Sequence, residues 1–171
     1  MIAFAMMLLL AALGFADQLA VDKNASSLQF VATQIGIFEV VGTFGDFSGT
    51  VEVEDGVIKG IEGEIVVVSL TTDNGIRDDN LLSSDFFYAV KYPTFSMRSR
   101  KIADDSIEAE MTIKGIMHNV HFIIERKKVT DEGVEIVLKG VIDRTIFDLN
   151  THFMSVLISH DIGVKARISA H

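Results

Sequence analysis

The stretch Phe47–Leu70, FSGTVEVEDGVIKGIEGEIVVVSL, decides the fold class. Phe47, Gly49, Val51 and Val53 fall on one side of an extended chain, and Ser48, Thr50, Glu52 and Glu54 on the other. That period of two marks a strand with one buried face. Asp55-Gly56 is the dipeptide that a two-residue hairpin favours, because both turn positions need positive φ. The chain returns through Val57–Leu70, where Ile61, Ile65 and Val66-Val67-Val68 leave the side-chain parity open. Gly60 and Gly63 mark a bulge or a sharp bend there.

The same alternation recurs on both sides of this hairpin. Ser27–Thr33 and Glu39–Phe44 precede it, the latter closed by a hairpin bend at Gly42–Gly45. Thr94–Ile102, Ser106–Ile113, Asn119–Arg126, Val134–Asp143 and Ile162–Ser169 follow, with turns at Asp104-Asp105, Lys114-Gly115 and Asp131-Glu132-Gly133. On the last strand Ile162, Val164, Ala166 and Ile168 share a face. Two stretches do not alternate. Asp73–Tyr88 predicts a short helix or two, ending before Tyr92-Pro93, the only proline. Thr145–His160 is irregular or partly helical. Eight or nine short strands without a linker or repeat predict one all-β antiparallel domain, either a barrel or a sandwich.

The first sixteen residues, MIAFAMMLLLAALGFA, form an apolar run ending in small-x-small Gly14-Phe15-Ala16. This pattern predicts a secretory signal peptide over Met1–Ala16, with cleavage after Ala16 or Ala20. The run is short against the roughly 20 apolar residues of a membrane span, although no Lys or Arg precedes it. The expectation is a periplasmic or secreted domain over residues 17–171, with no stable membrane insertion after cleavage. A formal net charge of −9 opposes binding to nucleic acid or to anionic lipid head groups. The chain has no cysteine, which excludes disulfides, thiol nucleophiles and thiolate metal sites. His118 and His121, three apart on a strand, point to opposite faces; His152 and His160 lie in the irregular stretch. No metal-ligand spacing and no catalytic motif is present, so neither a metal nor a catalytic residue is assigned. Hydrophobic residues make up 49% of the chain, including twelve Phe. An acidic domain this apolar has either a well-filled core or an internal cavity for an apolar ligand.

Ser69–Phe87, SLTTDNGIRDDNLLSSDFF, resembles the signature of the bacterial YceI family of polyisoprenoid-binding or lipid-binding proteins. Other blocks follow in the family's order: Val41-Gly42-Thr43-Phe44 with Phe47-Ser48-Gly49, Tyr92-Pro93-Thr94-Phe95-Ser96, Met111-Thr112-Ile113-Lys114-Gly115-Ile116, and Asp143-Arg144 with Phe147. The resemblance spans Val21–Ile168. It implies an eight-stranded, antiparallel, lipocalin-like β-barrel with a short helical lid. It also implies that the barrel holds a long-chain apolar molecule, such as a polyisoprenoid, a quinone-like tail or a fatty acyl derivative, for storage or transport. No cofactor other than such a ligand is implied, and many members form homodimers. The chain departs from the family at Ala20-Val21-Asp22, Ala25-Ser26 and Thr33-Gln34, where an aromatic residue and histidines often stand.

With a closed barrel, the inward positions predict the ligand-binding lining. They are Leu28 and Phe30; Val40 and Phe44; Phe47; Val66 and Val68; Phe95 and Met97; Met111 and Ile113; and Phe122 and Ile124. The same side chains equally suit a filled core. At the lid, Arg77 either meets a polar head group or pairs with Asp78, Asp79 or Asp85 to fix the segment. Phe86, Phe87 and Tyr88 are expected to cap the interior, and Arg144 to act as a structural pin or a head-group contact. Two alternatives to a carrier remain: an enzyme acting on a lipid or quinone-like substrate through Arg77, Tyr88 and Arg144, and a stress-related adaptor working through a dimer surface.

Overall fold

In the computed structural model, residues 16–34, 36–149 and 158–171 are described. Residues 1–15 of the expected signal peptide and His152 lie outside them. Among the described residues, eleven strands form one antiparallel sheet. They are β1 (Asp17–Ala20), β2 (Ser27–Gln34), β3 (Phe38–Phe44), β4 (Phe47–Glu54), β5 (Val57–Val66), β6 (Leu70–Thr71), β7 (Thr94–Ile102), β8 (Ser106–Ile113), β9 (Ile116–Thr130), β10 (Gly133–Asp143) and β11 (Ile158–Ala170). The helix α1 (Gly75–Leu82) follows β6, and short 3-10 turns occupy Val67–Ser69 and Arg144–Phe147.

The sheet order is β1-β4-β5-β7-β8-β9-β10-β11-β2-β3-β6. The ladder has two ends, so the architecture is a curled, open half-barrel and not the closed eight-stranded barrel expected from the resemblance. Two local features cause the difference. Gly45-Asp46 is a corner and not a hairpin: β3 pairs with β2 and β6, whereas β4 pairs with β1 and β5. The corner is tied instead to the far end of β5, where Val66 N–H donates to Asp46 O (2.9 Å) and Gly45 N–H to Ser69 O (3.1 Å). The long run Val57–Leu70 is also not one strand. It stops at Val66, turns through Val67–Ser69, and crosses to pair Leu70 with Phe44. The short β1 adds to the outer side of β4, and its continuation bridges Val21 to Ala170.

The hairpin signals in the sequence are accurate where both turn residues carry positive φ. Asp55-Gly56 (φ 51° and 72°) joins β4 to β5, and Lys114-Gly115 (φ 54° and 75°) joins β8 to β9. The expected irregularity near Gly60 is a bulge, with Glu52 opposite Gly60 and Val53 opposite Ile58. The strand expected over Asn119–Arg126 is longer, Ile116–Thr130, and β11 begins four residues before the expected Ile162.

The inner face is filled at one end and hollow at the other. Val51, Ile58, Ile107, Ala109, Val134 and Ile136 are all buried around the β4–β5 turn and the starts of β8 and β10. The opposite halves of these strands carry larger side chains around open space. Two Phe rings use cross-strand glycines as platforms. Phe30 lies over Gly42 in the β2–β3 pair, where a Cβ would come within 2.1 Å of the ring. Phe122 lies over Gly140 in the β9–β10 pair, where a Cβ would come within 2.8 Å. On the outer face, pairs such as Arg98–Glu62 (2.5 Å) and Lys139–Glu125 (2.5 Å) face solvent and add little stability.

The two ends should respond differently to truncation. Ile107→Ala, in the filled end, is expected to cost about 2–5 kcal/mol. Met111→Ala, whose side chain borders open space, should cost about 1 kcal/mol, because it forfeits fewer packing partners. Urea unfolding of both variants measures the contrast.

Candidate functional site

The hollow end is a cavity of about 560 Å³. That lies within the range of small-molecule sites, about 300–1,000 Å³. Its walls come from β2, β3, β4, β5, β7, β8, β9, β10 and β11, with α1 and the segment after it at the mouth. Five phenyl rings run across it in sequence: Phe30 to Phe44 (5.8 Å), Phe44 to Phe95 (6.1 Å), Phe95 to Phe87 (5.1 Å) and Phe87 to Phe86 (4.8 Å). Met97 and Met111 face each other on neighbouring β7 and β8 and border the same space. Unbranched Met side chains repack easily around a flexible occupant.

Of the lining positions expected from the sequence, Leu28, Phe30, Val40, Phe44, Phe47, Phe95, Met97, Met111, Ile113 and Phe122 border the cavity. Val66, Val68 and Ile124 do not. The turn at Val67–Ser69 breaks the alternation, so Val67 is fully buried and Val68 is 62% exposed. Ile124 packs against the filled core. The reading missed Ile61, Ile65, Leu138 and Ile142, and the β11 face of Ile162, Val164, Ala166 and Ile168. The alternation of β11 was a usable signal for its four residues. Nothing in the sequence pointed to Gln34, Asn74, Asn80 and Ser83, which supply polar edges at the mouth.

The lid is built around Thr72. Asn74 caps α1 by accepting the Arg77 N–H (3.0 Å), a typical N-cap contact. Arg77 donates from Nε to Thr72 Oγ1 (2.7 Å) and from Nη2 to Thr72 O (2.8 Å). The Asp78 carboxylate accepts from Thr72 N–H (2.9 Å), from the Thr72 hydroxyl and from Thr71 Oγ1 (3.1 Å). Arg77 therefore fixes the lid through a threonine and not through Asp78, Asp79 or Asp85 as anticipated. Arg77 borders the cavity; Asp78 does not. The Thr72 hydroxyl is the main cause holding the Asp78 carboxyl below its usual range, against the opposing effect of burial.

Arg144 is buried, at 3% exposure, and touches the cavity wall. Its Nε donates to Ser159 O (2.9 Å), Nη2 to Ile158 O (3.0 Å) and Nη1 to Leu149 O. This ties the start of β11 to the turn after β10. Burial pulls its pKa below the usual arginine value, and the Asp143 carboxylate opposes that. Tyr88, expected as a cap, lies away from the cavity. Its backbone is left-handed (φ 51°) and its ring meets Tyr92 edge-on (6.1 Å), with the Lys91 ammonium 5.9 Å away. Arg77, Tyr88 and Arg144 thus do not converge as an acid–base pair, which removes the support for the enzyme alternative. His118 packs edge-on against Phe147 (5.3 Å). Among the described residues, no three His, Asp or Glu side chains are placed to hold a metal, and no helix is long and apolar enough to cross a membrane.

A curled antiparallel sheet around an apolar, one-ended cavity defines a β-protein with a hollow interior. The chain belongs to the YceI-like domain family, whose model matches residues 19–170. It is similar to a structure of Burkholderia cenocepacia BcnA, with a TM-score of 0.80 and 21% identity, covering 88% of this chain and 99% of that one. A second similar structure is described as a polyisoprenoid binding domain from Saccharophagus degradans, with a TM-score of 0.68 and 15% identity over 90% of this chain and 97% of that one. These likenesses show the shared fold. A UPF0312 protein of Staphylococcus aureus is 26% identical over 137 residues, covering 75% of this chain and 80% of its own.

Two variants separate the roles of the lid and the pin. Arg144→Lys removes donors from buried and half-buried carbonyls and should cost about 3 kcal/mol or more in urea unfolding. Asp78 has a lowered carboxyl pKa in the folded chain, so its contribution is full above the unfolded value of about 3.9 and is lost as pH falls through the folded value. Asp78→Asn is therefore expected to be less stable than the parent at pH 7, with the gap narrowing below about pH 3.9. Paired unfolding curves at neutral and acid pH measure this.

Proposed function

We propose that this chain is an exported carrier that holds a long-chain apolar molecule inside the half-barrel and shields it from water. The observation that carries this reading is the 560 Å³ cavity, walled by apolar strand residues and crossed by five phenyl rings. The polyisoprenoid-binding description of the Saccharophagus relative supports an isoprenoid or similar chain as the occupant. Binding would draw on buried area: about 0.8 kcal/mol per methylene, so ten methylenes offer roughly 8 kcal/mol before ordering costs. The residues we assign to the chain-binding wall are those that border the cavity, from Leu28 and Phe30 to Phe122, joined by the β11 face. The leader-like Met1–Ala16 supports a periplasmic or secreted location. The occupant needs only one chain, so the reading does not depend on a dimer.

Solvent extraction of purified protein followed by mass spectrometry should release a recurrent long-chain compound. An extract that stays empty, together with no uptake of added prenyl or acyl lipids, would refute the carrier role. Ala166→Phe places a ring in the cavity from β11. It should lower the affinity for such a ligand by about tenfold or more while leaving the unfolding midpoint unchanged or raised, because a void is filled.

A further inference from the structure

This inference rests on the carrier reading and concerns how deep the bound chain reaches. The inner faces of β4 and β5 meet in three successive cross-strand pairs. Phe47 faces Ile65 on the mouth side, Gly49 faces Gly63 in the middle, and Val51 faces Ile61 toward the filled end. Phe47, Ile65, Gly49, Gly63 and Ile61 all border the cavity, whereas Val51 is fully buried and does not. Met97 and Met111 carry the glycine row on across β7 and β8 and border the cavity too. Ala109, one inward position deeper on β8, is buried and does not. The glycine row is therefore the last hollow one, directly above the solid core.

A glycine inside a strand weakens it, and it marks a bulge, a bend, or the close approach of another backbone or a ligand. Gly49 has a backbone reason: a Cβ there would come within 2.4 Å of Glu62 O and 3.3 Å of Val21 Cγ2. Gly63 has no such reason. Its ladders with β4 and β7 run without a shift from Glu62 to Ile65, and its φ lies outside the left-handed region. A Cβ built on it would meet only Ser48 O within 4 Å beyond its chain neighbours, at an ordinary contact distance of 3.4 Å. The volume that a side chain would take is open, and by the alternation of β5 it lies on the cavity side, with Ile61 and Ile65.

We infer that Gly63 sets the length of apolar chain that the cavity accepts. The tail end of the chain lies over Gly63, between Val21 at Gly49 and Met97 on β7. A side chain at position 63 raises the floor and shortens the longest chain that fits, without touching the mouth.

The test is equilibrium dialysis of the purified chain against 1-octanol, 1-decanol, 1-dodecanol and 1-tetradecanol in turn, with the bound alcohol measured by gas chromatography. In the parent, affinity should rise by about fourfold per added methylene until the tail reaches the floor. Gly63→Leu should bring that ceiling to a shorter alcohol and weaken the longest one that the parent holds by about tenfold or more, leaving 1-octanol unchanged. Gly63→Ala, which adds one carbon, should shift the ceiling in the same direction by less. Because glycine weakens a strand, the unfolding midpoint of Gly63→Ala should equal or exceed that of the parent. A length profile unchanged in both variants, an equal loss for every alcohol, or a lowered midpoint in Gly63→Ala would overturn the inference and leave the carrier reading intact. No uptake of any alcohol by the parent would remove both.

Discussion

Everything in this molecule depends on the strict alternation of side chains along curled antiparallel strands. It sends Val51, Ile107, Ala109 and Ile136 to one face and the ion-paired Glu62, Arg98, Glu125 and Lys139 to the other. Burial of the inner face drives the curl, since apolar area leaves water only if the sheet bends over itself. The same face becomes a site because the curl is filled unevenly. Where small and branched residues interdigitate, the interior is solid; where Phe and Met line a wider turn of the sheet, it is hollow. Stability and binding are thus divided between two ends of one surface.

The edges of the hollow end are held by polar contacts that spend almost every donor locally. Thr72 joins the end of β6 to α1, and Arg144 joins the turn after β10 to β11. Two arginines that look alike in sequence therefore differ in role. Arg144 donates to three backbone carbonyls and braces the wall. Arg77 is half-committed, on the rim, and aimed by a threonine. The difference follows from what each guanidinium is offered: the carbonyls of three residues in one case, and the hydroxyl and carbonyl of a single threonine in the other.

Much of this was legible beforehand. The strands around Asp55-Gly56 and Lys114-Gly115 could be read because both turns need backbone conformations that those dipeptides supply. Most inward positions could be read for the same reason that strands can, namely their period of two. The failures share a cause. Val66 and Val68 were placed inward because a run of valines has no parity of its own, and only the turn at Val67–Ser69 sets one. Gly45-Asp46 looks like a hairpin, yet Asp46 O accepts from Val66, a residue twenty positions away that no local pattern reveals. Tyr88 follows Phe86 and Phe87 in sequence and so reads as a cap, but its backbone is left-handed and its ring meets Tyr92.

By itself, the sequence determined an all-β antiparallel chain with an apolar inner face, a short helix near residues 73–88 and an acidic exterior. Those properties depend on periodicity, turn chemistry and charge, which are local. Only the tertiary structure decided that the sheet stays open, that one end is solid and the other hollow, and that Arg77 answers to Thr72. Those outcomes depend on which distant strands share a ladder and on whether facing side chains fill the space between them, and neither is carried by any one segment of the chain.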